Sequence, residues 1–241
     1  MSITINSNLA DPEANSYVTV AQADSYFEKR RETTNWTNLN VTQKKESLVQ
    51  ACNDINRFNF MNDPYYENQA LPFPDNLHGS EKNVVSTPLD DTTIKNTNLT
   101  TTTYGSNEYN DDYWKYGTIH IVTATPLDDI RNVASSNSGN TVIHLITALS
   151  STPTTNTYFR IFEPLDSSIT EAQMEQALYL VDNPYMRTIY NYKNLGAEEV
   201  EIGDVKIKFR KTSSPNKVPM SSISSRLLSK WIKKDRKVYR A

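Results

Sequence analysis

The sequence predicts an α+β protein: a small helical bundle with a β-hairpin, interrupted by an inserted β-rich domain of sandwich or barrel-like form. Three observations carry this prediction. Apolar residues recur at helical spacing up to about Asp75 and again from about Ile169. Between Asn76 and Leu165 they alternate at strand spacing, in a stretch where Ser, Thr and Asn make up about two residues in five. Near the end, Gly203-Asp204 separates two short alternating runs, as in a primed hairpin turn. Residues 1–75 and 166–241 are therefore assigned to the helical domain, and 76–165 to the insert. A chain of 241 residues can bury two modest cores without disulfides or metals.

Taken in order, Thr19 with Gln22 has the form of a capping box, and Val20, Ala23, Tyr26 and Phe27 follow on one face, predicting a helix from about Thr19 to Arg31. Thr42 is the expected cap of a second helix, in which Leu48, Ala51, Cys52 and Ile55 form a buried stripe at i, i+3, i+4 and i+7. Two prolines in Gln69-Ala-Leu-Pro-Phe-Pro74 force an extended strip. Within the insert, strands are expected over Asn83–Ser86, Thr118–Ala124, Thr141–Leu149 and Tyr158–Phe162. Pro-Leu-Asp recurs at Pro88, Pro126 and Pro164, which reads as a repeated way of leaving a strand. Thr170 with Gln173 repeats the capping-box form ahead of Met174, Ala177, Leu178 and Val181, and Pro184 should end that helix. Val200 to Phe209 forms the hairpin. Ser221 or Ser222 starts a last helix carrying Ile223, Leu227, Leu228 and Trp231.

Composition narrows the function classes. Hydrophobic residues make up 37%, which suits a protomer that completes its burial against neighbouring chains. No apolar run has the length of a membrane span, and the N-terminus lacks the pattern of a secretory signal, so an unexported chain without membrane contact is expected. A net charge of −3 argues against a wholly basic nucleic-acid coat. Cys52 is the sole cysteine, which excludes an internal disulfide and a cysteine-based zinc site.

No catalytic, metal or cofactor residues are identified. His78, His120 and His144 lack metal-binding spacing, six scattered glycines offer no phosphate loop, and the paired aspartates at 90–91, 111–112 and 128–129 read as turn residues. Two segments suggest binding instead. Tyr104, Tyr109, Tyr113, Trp114 and Tyr116 are a possible contact surface of the insert, or a cover for its own core. The tail places Trp231, Val238 and Tyr239 among Lys233, Lys234, Arg236, Lys237 and Arg240, which suits an anchor on a partner or on DNA phosphates.

Ala14-Asn-Ser-Tyr-Val-Thr-Val-Ala-Gln-Ala-Asp-Ser-Tyr-Phe27, Trp36, Lys45-Glu46, Leu48-Val-Gln-Ala51 and Gln69-Ala-Leu-Pro-Phe-Pro74 together resemble a tailed-phage family often labelled DnaT-like single-stranded-DNA-binding. Its members are similar to head-tail adaptor, or connector, proteins. The resemblance implies a structural, non-enzymatic virion protein at the head-tail junction, assembled in the host cytoplasm. It also implies a homo-oligomeric ring, usually twelve-fold, beneath the portal protein, with the C-terminal tail on the portal. Tail hub, nozzle or stopper proteins lie below, and genomic double-stranded DNA passes through the channel. The family label implies the alternative, a single-stranded-DNA-binding replication accessory protein. A DNA-binding groove of aromatics interleaved with Lys and Arg is not visible in the linear sequence outside the tail.

Overall fold

The computed structural model describes residues 3–96, 111–123, 126–137, 141–195, 197–202, 205–208 and 219–233. Tyr104, Tyr109, Lys234, Arg236, Lys237, Val238, Tyr239 and Arg240 lie outside the described residues. The fold is mixed α+β, with six helices and a seven-stranded antiparallel sheet among the described residues. Contacts divide the chain into two compact units, one built mainly from Val18–Asn59 and Ser168–Ile232, the other from Asn6–Tyr17 and Phe60–Ser167.

The helical unit begins with α1 (Val20–Phe27), whose N-cap Thr19 forms a reciprocal capping box with Gln22. The helix ends four residues before the expected Arg31. A single turn, α2 (Thr34–Thr37), positions Trp36. The long helix α3 (Val41–Ile55) is capped by Asn40 with Gln43, not by Thr42. Asparagine serves here because its side-chain oxygen accepts the Gln43 N–H. Leu48, Ala51, Cys52 and Ile55 are fully buried. The Cys52 thiol is packed and takes a hydrogen bond from Asn56 Nδ2 at 3.6 Å, the environment of an inert thiol.

α4 (Ser167–Asp182) starts three residues before the expected Thr170 cap. Thr170 therefore lies inside the helix, and the Gln173 side chain is buried and donates to the Leu48 carbonyl at 2.9 Å. Every residue from Ala172 to Leu178 is buried, so the helix runs through the centre of its unit and must satisfy its polar groups internally. Gln176 does this with one amide. Its Nε2 donates to Asp54 Oδ2 at 3.2 Å and to the Pro219 carbonyl at 3.0 Å, while its Oε1 accepts the Ser221 N–H at 2.9 Å. Glu175 accepts the Tyr26 hydroxyl at 2.6 Å and pairs with Arg30. α5 (Met186–Asn194) follows Pro184 and was not expected from the sequence. The hairpin is present as β8 (Glu199–Ile202) and β9 (Val205–Lys208). α6 (Ser222–Leu228), capped by Ser221, stops before Trp231, whose indole N–H donates to Ser168 Oγ at 3.0 Å.

The β unit contains β1 (Ser80–Val84), β2 (Thr87–Pro88), β3 (Thr93–Lys95), β4 (Thr118–Ile121), β5 (Ile130–Asn137), β6 (Val142–Leu145) and β7 (Tyr158–Phe162). Their order is β1-β7-β4-β5-β6-β3-β2, with every neighbouring pair antiparallel. The first and last strands of this ladder are consecutive in the chain. Between them, Val85 donates its N–H to Thr157 and Ser86 donates to Lys95, so the chain passes directly from one end of the ladder to the other and the sheet curls round in barrel fashion. Ile94, Ile119, Ile121, Val133, Ile143, Leu145, Phe159 and Ile161 fill its interior. The strand expected to run to Leu149 ends at Leu145. β1 and β4 run opposite to β7, and Pro88 is itself in a strand, so the three Pro-Leu-Asp segments are strand exits without a common structural frame.

Asn6–Tyr17 and the proline strip belong to this β unit, although the sequence reading placed both with the helices. The Leu9 N–H donates to Thr118 Oγ1 at 2.9 Å, and Asn132 Nδ2 donates to Ser7 Oγ at 3.0 Å. Tyr17 and Phe60 each meet Phe73 edge-on, with centroids 6.1 and 4.8 Å apart.

Tyr113 also marks the β unit. Its hydroxyl donates to Glu163 Oε1 at 2.7 Å, and burial together with that carboxylate pushes the phenol up to about 12. The unfolded phenol loses its proton near 10, so between pH 10 and about 12 the unfolded state binds fewer protons and stability falls as pH rises. Tyr113→Phe is expected to reduce that alkaline loss. The check is to compare the denaturation free energies of both proteins on either side of this window.

Candidate nucleic-acid interface

Register places a lysine, an arginine and a histidine in one row on the outer face of the barrel. In antiparallel strands, residues directly opposite one another share a face. Lys82 of β1 is opposite Arg160 of β7, and Arg160 is opposite His120 of β4, so the three form one row across three strands. Their neighbours Glu81, Ile161 and Ile119 lie in the adjacent row of the pleat and belong to the other face. Like charges set directly opposite are destabilising. A fold that keeps Lys82 against Arg160 is breaking a local packing rule, and such breaks concentrate at functional sites.

Aromatic rings flank the row on both sides. Val84 pairs with Tyr158, which is 43% exposed, and Lys82 Nζ lies 5.4 Å from the Tyr158 ring centre. On the other side Tyr65 and Tyr66, both half-buried, meet the fully buried Phe162 edge-on, with centroids 5.0 and 6.0 Å away. Arg160 is held in place: its guanidinium sits 5.3 Å from the Tyr65 ring centre and its Nη1 donates to Ser80 Oγ at 3.1 Å. The Tyr66 hydroxyl and His120 Nδ1 are 3.1 Å apart, and His120 Nε2 lies 3.4 Å from Asp128. Burial pushes the Tyr66 phenol up, partly offset by the nearby Arg160, so Tyr66 is a neutral ring at physiological pH. Gly117, just before β4, has no space for a Cβ because the Phe162 carbonyl oxygen occupies it; the missing side chain lets β4 close on β7.

The chemistry of this arrangement is that of separated positive charges beside an exposed ring plane. Lys82 and Arg160 supply the charge, and the exposed Tyr158 supplies a stacking plane. Residues 1–94 match the model of a family described as "Putative DnaT-like ssDNA binding protein". That match spans less than half of the chain and includes Tyr65, Tyr66 and Lys82, while His120, Tyr158, Arg160 and Phe162 lie beyond it. No curated protein and no solved structure matches the chain.

The contact surface expected from sequence is placed otherwise. Trp114 is 2% exposed and belongs to the barrel core, so it presents no contact surface. Tyr113 packs against that core with its hydroxyl on Glu163. Tyr116 is 52% exposed, with Lys115 Nζ 5.7 Å from its ring centre, and so remains on the surface. In the tail, Trp231 is half-buried on Ser168 and Lys233 is exposed. Among the described residues no three His, Cys, Asp or Glu side chains gather as a metal site requires, and no helix is long and apolar enough to cross a membrane.

The alternation Tyr158-x-Arg160-x-Phe162 was the available sequence signal for the outer face. Its meaning depends on Lys82 and His120, which only the strand register brings beside it.

Proposed function

We propose that this protein binds single-stranded DNA without catalysing a reaction on it, through the outer face of β1, β7 and β4. The observation that carries the reading is the cross-strand row Lys82–Arg160–His120 bordered by Tyr158 and by Tyr65 and Tyr66. The family description for residues 1–94 supports it. Phosphates of the strand lie along the row while bases stack on Tyr158, and Arg160 is pre-organised by Tyr65 and Ser80, so little side-chain entropy is lost on binding. A duplex keeps its bases stacked inside and offers Tyr158 nothing to stack on. Fluorescence anisotropy with labelled oligothymidylate and with a duplex of equal length tests this. Tighter binding of the single strand, weakening steeply with salt, is expected; equal affinity for both forms contradicts it.

A second reading is the head-tail adaptor, a ring beneath a phage portal. It is supported by the adaptor resemblance of the N-terminal segment and by exposed apolar side chains at the ends of α5, where Leu195 is 83% and Tyr185 63% exposed. In this reading the partners are the portal, tail proteins and further copies of the chain, and the segment from Trp231 to Arg240 reaches the portal. Negative-stain imaging of the protein mixed with portal, showing or failing to show a decorated ring, decides it.

A further inference from the structure

The hairpin β8–β9 forms a two-stranded sheet of its own among the described residues. A ribbon of two strands is marginal in water, and each strand has an outer row of N–H and C=O groups that can accept another strand. No other described strand takes up either edge.

Charge is divided by strand. Glu199 and Glu201 lie on β8, Lys206 and Lys208 on β9, and all four are exposed. The register sets Glu199 opposite Lys208 and Glu201 opposite Lys206, so the four share one face, and Lys206 and Lys208 both pair with Glu199. The sequence extends each sign, with Glu198 before β8 and Arg210 and Lys211 after β9. The ribbon therefore has one acidic edge and one basic edge.

We propose that the hairpin is a self-assembly edge: β9 of one copy pairs antiparallel with β8 of a second copy, setting Lys206 and Lys208 against the acidic strand of its neighbour. The charge pattern selects this geometry. Symmetric pairing of β8 with β8 sets Glu against Glu, and β9 with β9 sets Lys against Lys, both repulsive. Head-to-tail pairing sets opposite signs together and keeps every strand antiparallel to the next. Each added copy again presents one free edge of each sign, so the interface is heterologous; it closes into a ring if the rotation between copies allows, and otherwise extends as a filament. Tyr185, Tyr192 and Leu195, exposed on and beside the helix that packs against β8, add apolar area to the same contact. The inference is independent of the DNA-binding face and would supply an interface for the adaptor ring.

The test is charge exchange, read by native mass spectrometry and light scattering. Wild type is expected to form oligomers. E199K/E201K, with two basic edges, should be monomeric, and adding K206E/K208E protein, with two acidic edges, should give alternating mixed oligomers. Each of these carries like charges across its own hairpin, so the fourfold exchange E199K/E201K/K206E/K208E, which keeps opposite signs across it, is the control. It should assemble with itself and exclude wild type. A monomeric wild type, or a fourfold variant that mixes freely with wild type, overturns the proposal. So does a fourfold variant that stays monomeric with its hairpin folded.

Discussion

Replacing Trp36 by alanine is expected to cost about 3–5 kcal/mol of stability in the helical unit, the range for deleting a buried aromatic side chain. Trp36 is 0% exposed. It sits on the single turn α2, packs on Phe27 of α1 with centroids 4.8 Å apart, and donates its indole N–H to Asp24 Oδ1 at 2.8 Å. Lys44 of α3 lies 5.7 Å from its ring centre and also bonds Asp24 Oδ1 at 2.8 Å. One side chain thus joins three helices, and its loss opens a cavity where they meet. Domains of this size have about 5–15 kcal/mol in total, so the variant should lose much of its helical circular dichroism at moderate urea. Trp36→Phe keeps most of the volume and gives up the indole hydrogen bond, so its cost should be nearer the about 1 kcal/mol of a single bond. A Trp36→Ala protein within 1 kcal/mol of wild type would show that the three helices do not depend on this contact.

The second large effect is on binding. Tyr158→Ala is expected to weaken oligothymidylate binding by about 1–3 kcal/mol, the range for one base–aromatic stack, which is roughly five- to 150-fold. Lys82→Ala is expected to lower the slope of log affinity against log salt by about 0.7, the share of one phosphate on a single strand. Both side chains are exposed, and neither contributes to the core cluster of the barrel, so the substitutions should leave the melting temperature nearly unchanged. Arg160 is the less informative choice, because its contacts to Tyr65 and Ser80 give it a structural role as well.

The parts of the fold that could be read from sequence were those whose burial follows a local period. The stripe of α3 is fully buried as spaced, and β6 buries alternate residues; β4 and β7 do the same on their inner face, while Thr118 and Phe162 are also buried on the opposite one. β5 was illegible because a bulge between Val133 and Ser135 interrupts its pairing, and its buried residues Ile130, Val133 and Ser136 fall three apart. Among the described side chains of α5 only Ile189 lies in the buried core, and Met186, Ile189 and Tyr190 make too short an apolar face to mark the helix in the sequence. The start of α4 was misplaced because Gln173, apparently a capping residue, is part of the buried polar network. The candidate site was harder still. Lys82, His120 and Arg160 are separated by 38 and 40 residues and become neighbours only through strand register, which no local pattern encodes. Of the two readings of the aromatics in the Ser/Thr-rich segment, cover for the core holds for Trp114 and Tyr113, while Tyr116 is exposed.

Photo-crosslinking of a thymidine-rich oligonucleotide to the full chain, followed by peptide mapping, tests the central claim most directly, because it reads where the strand lies and not only whether it binds. Adducts at Tyr158, with Tyr65 or Tyr66 as further sites, and their loss in Lys82→Ala/Tyr158→Ala protein, are the predicted result. Adducts confined to the basic segment after Ile232 or to β9, with none on β1, β7 or the Tyr65–Tyr66 strip, would contradict it.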